Sequence, residues 1–314
     1  MRAFIIRRLL QAVLTLFVVS ILVFSLLKLI PGDVTVFILG IDAEPEQYAK
    51  LREELGLDLP LFTQYTRWAS GFLQGNWGSS AFHQMSVIDL VAQRLPVTIH
   101  LSILAIIIGN VLGILLGMIS AARRNSFLDS FITVFTVSGI SAPAFWTGII
   151  AIYLFGLTLG WFAFGGYTSP FDNFALSTSR LIMPVAVMSI MPMARATRQT
   201  RSAMLEVIQQ DYIRTAWAKG LKERVILLRH GLKMAMIPVI TMMFLGIRVL
   251  VAGSMLIESV FNIPGMGRLI AQAALNRDII VVQSCTMIVA LFIILANLAA
   301  DISYGWLDPR IRYD

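Results

Sequence analysis

The sequence predicts an all-α polytopic membrane protein of six transmembrane helices, and three observations carry that prediction. Of the 314 residues, 57% are hydrophobic and 14% charged, against about 25% charged in soluble domains, and the mean hydropathy is +0.79. Apolar stretches of about 20 residues, the length that crosses a hydrocarbon core of about 30 Å, recur along the chain. The basic residues are segregated between them: segments 1–8, 123–124, 195–233 and 310–312 hold sixteen of the 25 Lys and Arg, and the opposite loops hold eight over longer sequence. That is the positive-inside pattern, and it places both termini in the cytoplasm. It explains the net charge of +7 and the pI near 9.9 better than nucleic-acid binding does, because no single patch gathers the charge. The single Cys285 lies in an apolar run, so an intrachain disulfide is excluded and the thiol reads as a packing group.

Arg2, Arg7 and Arg8 precede an apolar run over 9–30. The run is too long for a secretory signal and has no small-residue cleavage site, so it is a retained first span, with Lys28 snorkelling at its far end and Pro31-Gly32-Asp33 as its stop. Residues 1–30 are thus an N-terminal arm and first span, 31–95 an external segment, and 96–314 a core of five spans. In 31–95, Asp33, Asp42, Glu44, Glu46, Glu53, Glu54, Asp58 and Asp89 outnumber Lys50, Arg52, Arg67 and Arg94. A short helix is expected over 46–55 and an amphipathic one over 61–73, where Phe62, Tyr65, Trp68, Ala69 and Phe72 follow i, i+3, i+4 spacing; 75–80 is a turn-rich break. The segment suits an external element that meets a substrate-delivery protein and, equally, an interfacial cap over the membrane domain.

The second span, 97–122, carries Gly109, Gly113 and Gly117 one helical turn apart, a stripe that lets another helix approach closely. Arg123 and Arg124 mark a cytoplasmic turn. The third span, 130–159, contains Pro143, which predicts a kink, and 161–179 is an external loop. The fourth, 180–194, carries Pro184 and Pro192 and ends in Arg195, Arg198 and Arg201, three residues apart, which face lipid phosphates, a protein partner or solvent. The fifth and sixth cover 235–260 and 279–302; Asn297 and Asp301 on the sixth read as interhelical packing. The tail over 307–313 returns to the cytoplasm.

The largest polar loop of the core is 200–234. At 100° per residue, Tyr212, Ile213, Ala216, Trp217, Gly220 and Leu221 fall on one half of a helical wheel and Asp211, Arg214, Thr215, Lys219 and Lys222 on the other. This is a surface helix, too polar to cross a bilayer, capped by Gly220. Lys222, Glu223, Arg224, Arg229, His230 and Lys233 make the remainder a charged, solvent-side segment. The apolar face needs a partner, which a protein groove or the lipid headgroups supply.

The run Gln210-Asp211-Tyr212-Ile213-Arg214-Thr215-Ala216, followed by Ala218-Lys219-Gly220-Leu221 and Arg229-His230, resembles the cytoplasmic loop of ABC importer permeases. It is similar to their oligopeptide, dipeptide and nickel permease branch, as are 261–267 and the tail. Two departures stand out: Arg214 where the general loop pattern begins with Glu, and Leu232-Lys233 where it closes with Leu-Pro. The resemblance covers nearly the whole chain. It implies a type I ABC importer permease in the cytoplasmic (inner) membrane, with a coupling helix that seats in a groove of an ATPase subunit. The partners it implies are a second homologous permease subunit, two ATPase subunits and an external substrate-binding protein, with membrane lipid around the spans. No cofactor is expected on this chain, ATP and Mg being held by the ATPases. Tyr212, Ile213, Arg214, Ala216, Trp217, Lys219 and Gly220 become the coupling residues: Ile213 and Trp217 carry the contact, Arg214 and Lys219 flank it and Gly220 sets the turn. The cargo expected from the branch is a short peptide or related small solute, moved by alternating access.

Chemistry on the chain itself is sparse. No glycine-rich string ends in Gly-Lys-Ser/Thr, so a phosphate cradle is missing from the sequence. His83, His100 and His230 fall on an outer loop, a span and an inner loop and cannot converge on a metal. No Ser, His and Asp grouping suggests catalysis, so the chain reads as a transport subunit and not an enzyme. Arg248 lies thirteen residues into the fifth span, about 20 Å of helix rise, where insertion costs about 2.5–3.5 kcal/mol. It either lines the translocation path, meeting anionic groups such as a peptide carboxylate, or hydrogen-bonds to a neighbouring helix. The alternative function, a self-sufficient ion-coupled carrier or channel, predicts activity from this chain alone and intramembrane carboxylates, which are few here.

Overall fold

Runs of Leu, Ile, Val, Ala and Phe become helices in lipid because a helix satisfies every backbone donor and acceptor within the segment. The computed structural model describes residues 2–28, 34–40, 42–54, 56–80, 82–222 and 225–307, with backbone alone at 2–5, 26–28, 34, 37–38, 237, 241, 244–253, 300 and 302–307. Its helices are α1 (Arg2–Lys28), α2 (Val34–Leu39), α3 (Pro45–Glu54), α4 (Leu61–Leu73), α5 (Val87–Ala122), α6 (Phe127–Ser141), α7 (Ala144–Ala151), α8 (Phe174–Ile208), α9 (Asp211–Ala218), α10 (Leu232–Val260), α11 (Met266–Leu275) and α12 (Ile279–Leu307). A π-helical stretch, Ile152–Thr158, continues α7, another, Ile226–Gly231, leads into α10, and a small hairpin pairs β1 (Ser79–Ser80) with β2 (Met85–Ser86).

Among the described residues, α5, α8, Ile6–Ser25 of α1 and Ile279–Ala299 of α12 are long and apolar enough to cross a membrane, and α6 with α7 makes a fifth if that bent pair is one span. With 29 residues and about 44 Å of rise, α10 has the length of a sixth. Three spans differ from expectation. α5 begins at Val87, not 97, and runs straight through Pro96. Val87, Leu90 and Val91 are buried, and that packing outweighs the hydrogen bond the proline removes. α8 has 35 residues, about 52 Å of rise, so it overshoots a hydrocarbon core of about 30 Å by several turns. The third span is broken, not kinked: α6 and α7 diverge by 103°. Pro143 excludes Ala142 from helical backbone, and Ala142 is extended at φ −82°, ψ 130°.

Two compact units divide the described chain, Met1–Val97 with Gly265–Leu298 and Thr98–Pro264 with Ala299–Asp314. Residues 265–298, grouped with the core in the linear division, therefore cluster with the first 97. In the first unit the expected helices over 46–55 and 61–73 appear as α3 and α4. α4 lies on the end of α1 through a Ser20–Tyr65 hydroxyl pair at 2.8 Å and the Phe24 ring against Tyr65 and Trp68. Val87, Leu90, Val91, Met266, Leu269, Ala273, Val281, Cys285 and Ile288 form its core. The hairpin is held by Ser80 donating to Asp278. It was not expected, because strands of two residues carry no periodic signal.

In the second unit the glycine stripe of α5 seats α8. A Cβ at Gly109 would stand 2.7 Å from the Ser189 carbonyl, one at Gly113 2.6 Å from the Ala196 Cβ, and one at Gly117 2.6 Å from the Thr197 carbonyl. The two backbones therefore touch for more than two turns. Gly139 brings α6 onto Ile190 of α8 in the same way, whereas Gly148 brings α7 onto Phe261, at the end of α10. α6 thus rests on α8, whereas α7 rests on both α8 and α10.

Candidate functional site

Arg195 and Arg198 are exposed on the overshooting end of α8, the stem from which α9 departs. The turn Gln209-Gln210 redirects the chain: Gln210 is extended at φ −73°, ψ 148°, and Ile213 donates back to its carbonyl at 3.0 Å. Asp211 in the first turn complements the helix dipole. α9 closes with a Schellman pair, Gly220 N–H to Trp217 O at 2.9 Å and Leu221 N–H to Ala216 O at 3.4 Å. Gly220 sits at φ +71° with nothing within 4 Å of where a Cβ would stand. Left-handed backbone, not space, is what selects glycine there.

The apolar half of α9 divides in two. Ile213 is 0% and Ala216 7% exposed; they pack on Ile226 and Val207 of their own chain. Tyr212 is 42% and Trp217 46% exposed. Taking 100° per residue, Ile213 and Ala216 occupy the middle of the apolar arc while Tyr212 and Trp217 sit at its two edges, so a single buried contact removes the middle and leaves the edges open. The two residues expected to carry the contact are therefore separated: Ile213, with Ala216, is seated in its own chain, and Trp217 is open. Arg214 and Lys219 are exposed, and the Arg214–Asp211 pair at 3.6 Å is a surface ion pair of little energetic weight. Partial burial pushes the Tyr212 phenol up, so it stays neutral at physiological pH and acts as an aromatic hydroxyl.

Of the expected charged, solvent-side segment beyond Gly220, Lys222 and Arg229 are exposed as read from the sequence, but the segment also has a buried apolar side. Ile226 is fully buried, and Gly231 stands 3.2 Å, by its would-be Cβ, from the Met204 methyl. Together with Ala121, Ala203, Met204 and Ala235 these contacts build a compact root beneath α9. Glu223 and Arg224 lie outside the described residues, as does the tail from 308.

A second polar constellation, which the sequence did not suggest, lies at the foot of α6. Asp129 is 4% exposed and accepts from Arg201 Nε at 2.8 Å on Oδ1 and from Arg201 Nη2 at 2.7 Å on Oδ2. The Ser120 hydroxyl donates to Oδ1, and the Asn125 N–H to Oδ2 at 3.0 Å. Ser126 caps α6 by accepting from the Asp129 N–H at 3.3 Å. Arg201 was expected to face lipid, partner or solvent, and this fork gives it an internal partner instead. Half of the signal was legible: Ser126-x-x-Asp129 is a helix-start pattern. The pairing across 72 residues was not.

Arg248 belongs to α10, but its side chain lies outside the described residues. Thr98 donates to buried Glu258 at 2.7 Å, joining α5 to the C-terminal end of α10. His100 shares a hydrogen bond with Tyr167 at 3.0 Å, while His83 stands against Phe82. No His, Cys, Asp and Glu cluster among the described residues has the makings of a metal site.

Helices long and apolar enough to cross a membrane, one of them of 35 residues, with a short amphipathic helix just beyond that one's end, are the features of a polytopic membrane protein. The structure is similar to inward-facing conformations of the MetNI methionine ABC transporter, with a TM-score of 0.58 at 16% identity over 70% of this chain and 96% of that one; the likeness is one of fold. Sequence comparison goes further. Residues 113–313 match the binding-protein-dependent transport system inner membrane component, and 1–102 match the N-terminal component of the same systems. A putative peptide transport system permease protein of Brucella abortus (strain 2308) is 40% identical, and the oligopeptide transport system permease protein AppB of Bacillus subtilis (strain 168) 38% identical, each with 100% of both chains covered. The chain belongs to the family of inner-membrane components of binding-protein-dependent transport systems. It is a multi-pass permease subunit of an ABC importer, a transport subunit within a larger assembly.

Proposed function

We propose that this permease carries short peptides or closely related small solutes, as one half of a permease pair driven by two ATPase subunits and supplied by an external binding protein. Support for the cargo comes from the full-length relatives named for peptide and oligopeptide transport. In this reading ATP and Mg sit on the ATPases, and the termini and α9 are cytoplasmic, as the distribution of Lys and Arg favours.

The observation that carries the coupling role is the divided face of α9: a seated middle, Ile213 and Ala216, between two open aromatic edges, Tyr212 and Trp217. Large aromatics are the side chains that anchor protein interfaces. Tyr212 and Trp217 are the contact with the ATPase groove, Arg214 and Lys219 flank it, Gly220 fixes the turn, and Ile213 with Ala216 passes displacement into the root of α8 and α10. Closure of the ATPase pair pushes α9, and the attached spans alternate the cavity between the two sides. In the same reading Arg248 is assigned to the translocation path, where it would meet the peptide carboxylate.

The decisive experiment is purification of the transporter from membranes with its ATPase subunits. The double variant Tyr212→Ala, Trp217→Ala is expected to insert and fold normally while losing the ATPases; a full complement of bound ATPase overturns the coupling role. Solute flux through the isolated chain in proteoliposomes, without any ATPase, would favour a self-sufficient carrier. Arg248→Leu is expected to abolish uptake at normal expression, and unchanged uptake removes it from the path.

A further inference from the structure

The Asp129–Arg201 fork stands apart from everything used above. Arg201 lies ten residues before the start of α9, about 15 Å of helix rise, on the stem that must move if α9 moves. Asp129 lies two residues into α6, directly after the 123–126 turn that joins it to α5. Every acceptor position the fork uses is oriented from a second side, by Ser120 from α5 and Asn125 from the turn. An ion pair between a buried carboxylate and a partly exposed guanidinium is a poor way to gain stability, since apolar groups of similar size often do as well; what it fixes is geometry. Here it joins three helices at one point. The glycine contacts continue that junction, α5 on α8 at Gly109, Gly113 and Gly117 and α6 on α8 at Gly139. α7, beyond the break, touches Phe261 at the end of α10 as well as α8.

We infer that Arg201 is a positioning residue for energy coupling: through Asp129 it makes α5, α6 and α8 follow α9 as one body, so that the change of angle falls on the Ala142-Pro143 break. The inference rests on the coupling role proposed for α9. Without the fork the foot of α6 is free to slip on the stem, and displacement of α9 is absorbed at the 123–126 turn before it reaches the break.

The test uses the assembled transporter in lipid nanodiscs, with Cys285→Ala as background and pairs of spin labels for distance measurement, with and without trapping by ATP and vanadate. Ala218, Val134 and Tyr153 are exposed positions on α9, on α6 and beyond the break. With Arg201 present, trapping is expected to leave the 218–134 distance unchanged and to shift 134–153. Arg201→Ala strands a buried carboxylate and threatens folding, so the working variant is Asp129→Asn with Arg201→Gln, which removes both charges. Trapping should then change the 218–134 distance, and the fraction of molecules reaching the shifted 134–153 distance should fall about tenfold, with ATP hydrolysis retained. Arg201→Lys, which keeps the charge on Asp129, should restore most of that fraction. A 218–134 distance that moves on trapping with Arg201 present, or one that stays fixed in the double variant, overturns the inference and leaves Arg201 a folding contact. If trapping moves no distance with Arg201 present, the coupling role of α9 itself fails, and this inference with it.

Discussion

Glycine is indispensable both in the seam between α5 and α8 and at the end of α9, for opposite reasons. At Gly109, Gly113 and Gly117 the backbone is ordinary helix and the surroundings leave no room: a single methyl would press on the Ser189, Met193 and Thr197 carbonyls. At Gly220 the surroundings are empty and the backbone is left-handed. The seam is a surface the chain has closed against itself; the end of α9 is a surface shaped and then left open. The same contrast holds for the apolar side chains, since Ile213 is seated in its own chain while Trp217, four residues on, is half exposed. On the coupling role proposed for α9, the seam is the rigid root of a lever and the end of α9 its free tip.

Space-limited and conformation-limited glycines respond to different substitutions. Gly113→Leu, which has nowhere to put its side chain, should cost about 3 kcal/mol or more and appear as a large drop in the thermal unfolding midpoint in detergent. An unchanged midpoint would mean that α5 and α8 are not held by backbone contact. Next in size is Ile213→Ala, at about 2 kcal/mol, felt locally: hydrogen exchange over 209–222 should quicken while exchange across the seam is unaltered. Gly220→Val should cost about 1–2 kcal/mol for a branched residue in left-handed backbone, and Gly220→Asn less, because Asn visits that region. If Asn and Val weakened ATPase retention equally, the size of the side chain would be what matters at Gly220, and the contrast with the seam would disappear. Smallest in stability is Trp217→Ala, within about 0.5 kcal/mol as for other surface positions, yet it should lower ATPase retention more than Ile213→Val does. Comparable losses from the two would mean that the edge and the middle of α9 carry the same task.

Much of this was legible because hydrocarbon is an undemanding reader of sequence. Length and apolarity suffice to place α1, α5, α8 and α12, and the glycine stripe announces close packing without saying against what. The surface helix at 211–218 followed from its period and its terminal glycine. What the sequence mislaid were the positions where two signals compete. Pro96 looks like a boundary and is not one, because Val87, Leu90 and Val91 hold the helix on its far side. Pro143 looks like a kink and is a full break. On α9 the wheel marks an apolar half correctly but cannot tell which part of it the chain will use for itself.

Composition, the positions of the apolar stretches, the segregation of charge between loops and the need for glycine at 220 belong to the sequence alone, since each depends on local periodicity or on the medium around one segment. The inward seating of Ile213, the partner of Arg201 and the helices on which α6 and α7 are footed belong to the tertiary structure. They join residues that no helical period relates, several of them dozens of positions apart, and no local pattern records which of several equally charged or equally apolar groups will be brought within reach.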